Sequence, residues 1–334
     1  MGAATERILR ASTLFTPTGL DFNNVLHLEC GKPLSIGPFT ITAYLNDHSA
    51  YDAYSLLISA DGRRVFYSGD FRGHGRKSAL FERFLKRPPS NVDVLLMEGT
   101  TIGRSGSEAK FKTEQELEQC FIEHIGNSKG MVLVWTSGQN IDRLVTIFKA
   151  CKRSGRQLIL DMYTAEILRM TGNSKLPQSD WKGVKVFLPN SQKRQIIRKQ
   201  QFKLAERYKP YRIYPKQLAV EATRSVMLFR PSMVRDLEKA ECLQETTLIY
   251  SLWPGYLKRK ELRSFHEWLV KLGIPLVHCH TSGHASPQDL QRFAKAIAPK
   301  MLVPIHSFAT RRFEEFFENV EMKKDGQWWE VPRA

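Results

Sequence analysis

The stretch RVFYSGDFRGHGRK, residues 64–77, decides how the chain is read. Residues 64–68 form a short β-rich run. It ends on Gly69-Asp70, and the chain leaves through Phe71-Arg72-Gly73-His74-Gly75 with no apolar period. A carboxylate beside glycine at a strand end can point into a cleft, and the loops after strands are where α/β folds carry their sites. Outward from this point the same alternation repeats. Further strands are expected at 39–45, 54–59, 92–97, 131–135, 157–160, 184–188, 226–229, 247–251, 275–279 and 301–304. Several are continuous apolar runs, the pattern of strands buried on both faces. Helical periodicity falls between them, at 113–125, 141–152, 164–170, 191–206, 258–272 and 287–297. Thr113 with Glu116 fits a capping box, and Ser286-Pro287 fits an N-cap followed by proline. Strands alternating with helices imply an α/β fold. The first ~95 residues differ, because strands there follow one another through tight turns such as Asp61-Gly62, a hairpin signal.

Composition bounds the function without choosing it. The chain has 334 residues, which suggests about two domains, and 50 Lys+Arg against 34 Asp+Glu, a net charge of +16. With 42% hydrophobic and 25% charged residues it is not a disordered, collagen-like or coiled-coil chain. Apolar runs such as 94–97 and 131–135 fall far short of the ~20 residues a membrane helix needs. The opening residues lack the apolar core of a signal peptide, and Glu6 breaks the myristoylation pattern. Five cysteines, Cys30, Cys120, Cys151, Cys242 and Cys279, are odd in number and form no C-x-x-C pair. That argues against a disulfide framework and against a zinc finger, and it sets a reducing cytoplasm as the expected compartment. A pI near 9.7 favours polyanionic partners.

Five strand ends carry candidate chemistry: Asn46-Asp47-His48, Gly69-Asp70 with Arg72 and His74, Glu98-Gly99-Thr100, His278-Cys279-His280-Thr281-Ser282-Gly283-His284, and His306-Ser307. Alone, a strand-end histidine is more often a structural hydrogen-bonder and a strand-end aspartate a cap. Five in one chain point to a shared site. Imidazole and carboxylate ligands suit zinc or manganese, and two such ions ~3.5–4 Å apart activate water for phosphoester hydrolysis.

The segments NDHSAYDAY, YSGDFRGHGRK, VLLMEGT, HTSGHAS and VPIHS, in that order, resemble the β-CASP branch of the metallo-β-lactamase superfamily, the ribonuclease J-like metal-dependent RNA hydrolases. The resemblance spans nearly the whole chain. It implies an α/β fold, an αββα metallo-β-lactamase sandwich interrupted by an α/β β-CASP insert. The first domain would occupy 1–114, the insert 115–275, and the return to the first domain 276–334. It also implies roles. His48, Asp70 and His306 would be metal ligands, with Asp70 bridging two ions and His306 completing the second site. Asp70, Glu98 and His284 would carry catalysis through a metal-bridging hydroxide. Ser282 and Gly283 would hold the scissile phosphate. The implied cofactor is zinc, two ions per complete site, or manganese. The implied partner is RNA, with no membrane and with a homo-oligomer allowed.

One departure stands out. The superfamily's H-x-H-x-D-H loop is absent: no three of the nine histidines have that spacing. The chain therefore reads as beginning inside such a domain, as a fragment of a full enzyme, a degenerate member, or a site completed by another chain. The alternatives to an RNA hydrolase are a hydrolase of a small ester or phosphoester and an inactive nucleic-acid binder. Residues 193–212, KRQIIRKQQFKLAERYKPYR, carry eight basic residues and one acidic. The pairs Arg194/Arg198, Lys199/Lys203 and Lys203/Arg207 are each four apart and should stack on one helix face. Arg194 and Arg198 are accordingly candidate phosphate contacts, as are Arg72 and His74 beside Asp70. A solvated basic face is the plainer reading of the helix. Residues 135–140 read as a capped strand–helix junction. Trp253 is expected in a packed turn, and Trp328 and Trp329 are expected to close the last strand against the core.

Overall fold

A computed structural model describes residues 1–16, 22–104 and 110–332. In chain order the elements are α1 (Ala3–Ser12), β1 (Pro33–Ile36), β2 (Phe39–Leu45), β3 (Tyr54–Ala60), β4 (Arg63–Tyr67), α2 (Ser78–Lys86) and β5 (Val94–Glu98). Next come α3 (Glu114–Asn127), β6 (Val132–Trp135), α4 (Ile141–Arg153), β7 (Gln157–Asp161), α5 (Met162–Met170) and β8 (Val184–Phe187). They are followed by α6 (Asn190–Arg198), α7 (Phe202–Tyr208), α8 (Pro215–Glu221), β9 (Ser225–Leu228) and α9 (Val234–Lys239). The last are β10 (Thr247–Tyr250), α10 (Arg263–Lys271), β11 (Leu276–His278), α11 (Pro287–Ile297) and β12 (Met301–Ile305). The chain divides into two units, one of Met1–Thr5, Asn24–Thr113 and Ser282–Ala334, the other of Glu6–Asn23 and Glu114–Thr281. Among the described residues no helix is long and apolar enough to cross a membrane.

The first unit is built on a mixed sheet of order β1-β2-β3-β4-β5-β12. Strands β1 to β4 are antiparallel neighbours. The β3–β4 turn places Asp61 at φ +49° and Gly62 at φ +73°, the left-handed pair a two-residue hairpin turn needs. Strands β4, β5 and β12 run parallel. Because β2 and β4 both run antiparallel to β3, the carboxyl ends of β2, β4, β5 and β12 lie along one edge of this sheet. Alternation along β5 sends Leu95 and Met97 to one face, with Phe66, Phe71, Phe81 and Phe293. Val94 goes to the other, with Met301, Val303 and Trp329. Helix α11 closes the first face with Leu290, Phe293, Ala294 and Ile297, an i, i+3, i+4, i+7 stripe. Its start is fixed as its sequence implies: the Ser286 hydroxyl accepts from the Asp289 N–H and Pro287 follows.

The second unit holds a wholly parallel six-stranded sheet, order β11-β10-β6-β9-β7-β8. Strands β6, β7 and β9 are buried nearly end to end, which is why they read as largely apolar runs. Asn140 caps α4 by accepting from the Arg143 N–H.

Several expectations need correction. The helix expected over 191–206 is two helices, α6 and α7, broken where Gln200 takes φ +52°. Lys199 and Lys203 therefore share no helix face, while Arg194/Arg198 and Lys203/Arg207 do. The helix expected from 258 starts at Arg263, after two 3-10 turns. Strand β1 and helices α1, α2, α8 and α9 are additional to the elements expected from the sequence. Trp328 is 98% exposed and closes nothing, whereas Trp329 packs beside Val94 and Val303. Trp253 is about half exposed. Contrary to the cysteine count, Cys120 and Cys279 are joined in a disulfide. They stand 159 residues apart in the sequence, so no local spacing could show the pair.

Candidate metal centre

Three strand ends and one loop before a helix bring the chemistry of the first unit together. The loop after β4 delivers Asp70, the last residue of β5 is Glu98, the residue after β12 is His306, and His284 lies in the loop leading to α11. Asp70, Glu98, His284 and His306 each offer one ligand atom, and these atoms all lie within 4.8 Å of one another. His306 Nδ1 is 2.9 Å from Asp70 Oδ1. His284 Nδ1 is 3.1 Å from Glu98 Oε2. Two carboxylates and two imidazoles are the donor set expected for zinc or manganese, and side chains on separate strand ends can converge without a shared local motif. In both histidines the carboxylate contact at Nδ1 leaves Nε2 as the lone pair for a cation, the usual way a carboxylate orients a ligating imidazole.

The backbone is committed to this arrangement. His306 takes φ +48°, left-handed for a non-glycine residue, and Thr100 Oγ1 donates to its carbonyl at 3.2 Å. Such strain persists where the surroundings over-determine it, commonly at functional sites. Gly69 takes φ +56°, and a Cβ there would sit 2.8 Å from the Tyr54 carbonyl oxygen. Gly69→Ala is expected to destabilise the fold by ~1–3 kcal/mol, read as a lower denaturant midpoint with unchanged slope; an unchanged midpoint would refute the constraint.

Glu98 is buried, and its carboxylate accepts from the Phe71 and Thr100 N–H groups. Burial alone would suppress a charge on His284. The hydrogen bond that His284 donates to Glu98 and the charges of Glu98 and Asp70 outweigh burial, and the His284 pKa rises above the ordinary histidine value.

His48 behaves oppositely. Its ring lies 6.0 Å from that of His284, and its Nδ1–H donates to the Gly283 carbonyl at 2.9 Å. It is not one of the four converging donors. Burial pushes its pKa down to about 4, only partly offset by Asp70. The unfolded chain takes up the proton near 6.5, so this contribution to stability is complete above that pH and is lost as pH falls toward 4. Metal-free protein should therefore lose up to about 3 kcal/mol over that window, at 1.36 kcal/mol per unit. The loss should be visible as a falling melting temperature and shallower in His48→Asn. An identical decline in the variant would assign the effect elsewhere.

Ser282 and Gly283 sit in the same loop as His284. The Ser282 hydroxyl accepts from the His284 N–H at 3.0 Å. Arg72 and His74 do not stand where a substrate contact was expected. Arg72 is 0% exposed, 3.7 Å from Asp47, and donates to the Ser282 carbonyl at 3.2 Å. His74 Nε2–H donates to the same oxygen at 2.9 Å. With His48 on Gly283 and Thr101 Oγ1 on Ala285 at 2.7 Å, four side chains grip one loop from behind. Their role is support. Gly75 makes room for the buried Arg72–Asp47 pair, since a Cβ there would fall 2.2 Å from Asp47 Oδ1. Sequence reasoning quoted Asp47 and Thr100 at candidate strand ends without giving either a role, and it missed Thr101, which adjoins Thr100. Arg194 and Arg198 are exposed on α6, in the second unit.

No family model matches the chain. Curated proteins named ribonuclease J are similar to it. That of Sinorhizobium meliloti is 22% identical over 295 residues, 84% of this chain and 48% of that protein. That of Mycoplasma pneumoniae is 23% identical over 278 residues, 80% of this chain and 46% of that protein. That of Mycoplasma genitalium is 24% identical over 284 residues, with the same coverage of 80% and 46%. The chain spans about half the length of these relatives. The similarity supports a relationship to the β-CASP and metallo-β-lactamase superfamily. Among solved structures, a protein of unknown function from Enterococcus faecalis V583 matches with a TM-score of 0.76 at 20% identity, over 98% of this chain and 74% of that one. This likeness shows the fold alone, an α/β architecture.

Proposed function

We propose that this chain carries the centre of a metal-dependent hydrolase that cleaves RNA phosphodiesters, with residues 115–275 as a β-CASP insert and the cytoplasm as its compartment. The observation that carries the proposal is the convergence of Asp70, Glu98, His284 and His306 within 4.8 Å, read beside the similarity to ribonuclease J. Asp70 and His306 would hold zinc or manganese, with His284 and Glu98 completing the donor set and neutral His48 alongside. A cation bound there supplies a Lewis acid and lowers the pKa of coordinated water.

The remaining work belongs to the chain's own groups. Glu98 orients His284. The 282–284 loop, fixed from behind by Arg72, His74 and His48, positions the scissile phosphate through Ser282 and the loop amides. Arg194 and Arg198 on α6, with Lys203 and Arg207 on α7, neutralise backbone phosphates elsewhere on the strand.

The test uses end-labelled single-stranded RNA with Mn2+, with Zn2+, or with chelator, at two salt concentrations. Cleavage that requires the cation, together with binding that weakens steeply with salt, supports the reading. Salt-dependent binding without cleavage under any metal would make the chain a nucleic-acid binder. No RNA binding, with turnover of a small aryl ester or phosphoester, would make it a small-molecule hydrolase.

A further inference from the structure

Within the second unit, three soft or borderline donors lie together, and the ribonuclease reading uses none of them. Cys120 and His124 stand four residues apart on α3, one helical turn, so their side chains share a face. Cys279 follows β11, held in register by its N–H donating to the Tyr250 carbonyl at 3.1 Å and by its carbonyl accepting from the Ser251 hydroxyl. The Sγ atoms of Cys120 and Cys279 and one ring nitrogen of His124 all fall within 4.8 Å of one another. The two cysteine Cα atoms are 6.4 Å apart. A helix and a sheet strand thus fix the donors before any ligand arrives, and preorganisation of this kind favours a built site over an accidental cross-link.

We infer that Cys120, His124 and Cys279 form a second metal site, which takes a thiophilic divalent cation such as zinc when the disulfide is reduced. Two thiolates and an imidazole with a fourth position open match zinc chemistry, and their softness separates them from the carboxylate-rich cluster of the first unit. The steps balance. A dithiol donates two electrons and two protons, the Cys120–Cys279 S–S bond breaks to two thiols, and the dithiol closes to its own disulfide. On binding the cation, both thiols release their protons to solvent and His124 contributes a neutral nitrogen lone pair. In the reverse direction, a low-molecular-weight disulfide accepts two electrons from the thiolates, the S–S bond re-forms, and the cation returns to solvent.

The full chain is reduced with dithiothreitol, desalted without oxygen, and titrated with Co2+. A thiolate-to-cobalt charge-transfer band is expected, because the Asp70 cluster contains no sulfur. The oxidised chain should lack the band. Cys120→Ser and Cys279→Ser should abolish it, His124→Ala should weaken cobalt affinity ~10–100-fold, and Cys30→Ser should leave it intact. In the reduced wild type, zinc should slow alkylation of Cys120 at least ~10-fold while exposed Cys30 reacts at an unchanged rate. This measurement needs no variant to fold. Absence of the band in reduced protein, its persistence in Cys120→Ser, or equal Cys120 alkylation with and without zinc would each overturn the proposal. None of these results bears on RNA cleavage.

Discussion

Replacing Asp70 by asparagine is expected to lower the proposed metal-dependent RNA cleavage by ~10²–10³-fold, since the loss of several kcal/mol of stabilisation by the proposed metal converts at about 1.4 kcal/mol per tenfold. The substitution keeps the volume and the loop. It removes one of two negative charges from the donor set and replaces the oxygen 2.9 Å from His306 Nδ1 with a weaker ligand. The fold should be unaffected, because Asp70 is partly solvent-accessible. The measurement is kcat/KM at limiting and at saturating Mn2+, with the melting temperature as control. A loss rescued by excess metal would place Asp70 in binding the cation alone. Wild-type turnover at limiting metal would remove Asp70 from the centre.

The largest stability effect is expected far from that chemistry along the chain, at Glu114. Its side chain is 1% exposed and that of Arg143 is 0%. Arg143 Nη2 lies 3.1 Å from Glu114 Oε1 and Nε lies 3.3 Å from Oε2, a two-pronged pair. Thr146 Oγ1 donates to the same carboxylate at 2.7 Å, and Arg143 reaches the Ser251 carbonyl at 3.2 Å. Glu114→Ala would strand a guanidinium where water cannot reach it, at a cost of ~3–5 kcal/mol. Glu82→Ala also breaks an arginine pair, to Arg292, but both partners are about half exposed, and less than ~1 kcal/mol is expected there. Denaturant midpoints of the two variants make the comparison. Equal shifts would mean that burial is not what gives the Glu114 pair its weight.

Fold class was legible because it depends on periodicity. The apolar runs at 131–135 and 158–160 read as strands covered on both faces, and they are. The candidate residues Asp70, Glu98 and His306 were legible because each follows or ends a strand, so they could be picked out without knowing which strands were neighbours. What stayed hidden depended on pairing across distance. The burial of Arg72 follows from Asp47 reaching it across two loops, and composition offers no trace of that. Lys199 and Lys203 kept a helical spacing while Gln200 adopted a left-handed conformation between them, a backbone choice that asparagine or glycine would have advertised and glutamine does not. Strand β1, of four residues, is too short to show a period. The Cys120–Cys279 link is invisible for the same reason as the ligand convergence: three-dimensional neighbours far apart in sequence leave no local pattern.

The pairing of β12 with β5 sets the order in which the protein can be finished during its synthesis. Glu98 and His284 are 186 residues apart, and Leu95 meets Leu302 across the sheet. Asp70 and Glu98 therefore leave the ribosome before both histidines of the cluster, into a half-built sheet whose strand β5 has one bare edge and whose apolar face awaits α11. The entire stretch from Glu114 to Thr281 is translated before either histidine of the cluster exists. Until His306 emerges, the nascent chain lacks one of the four clustered donors. The four donors can meet only after β12 has emerged, and an arrest before that point would leave an unpaired strand edge.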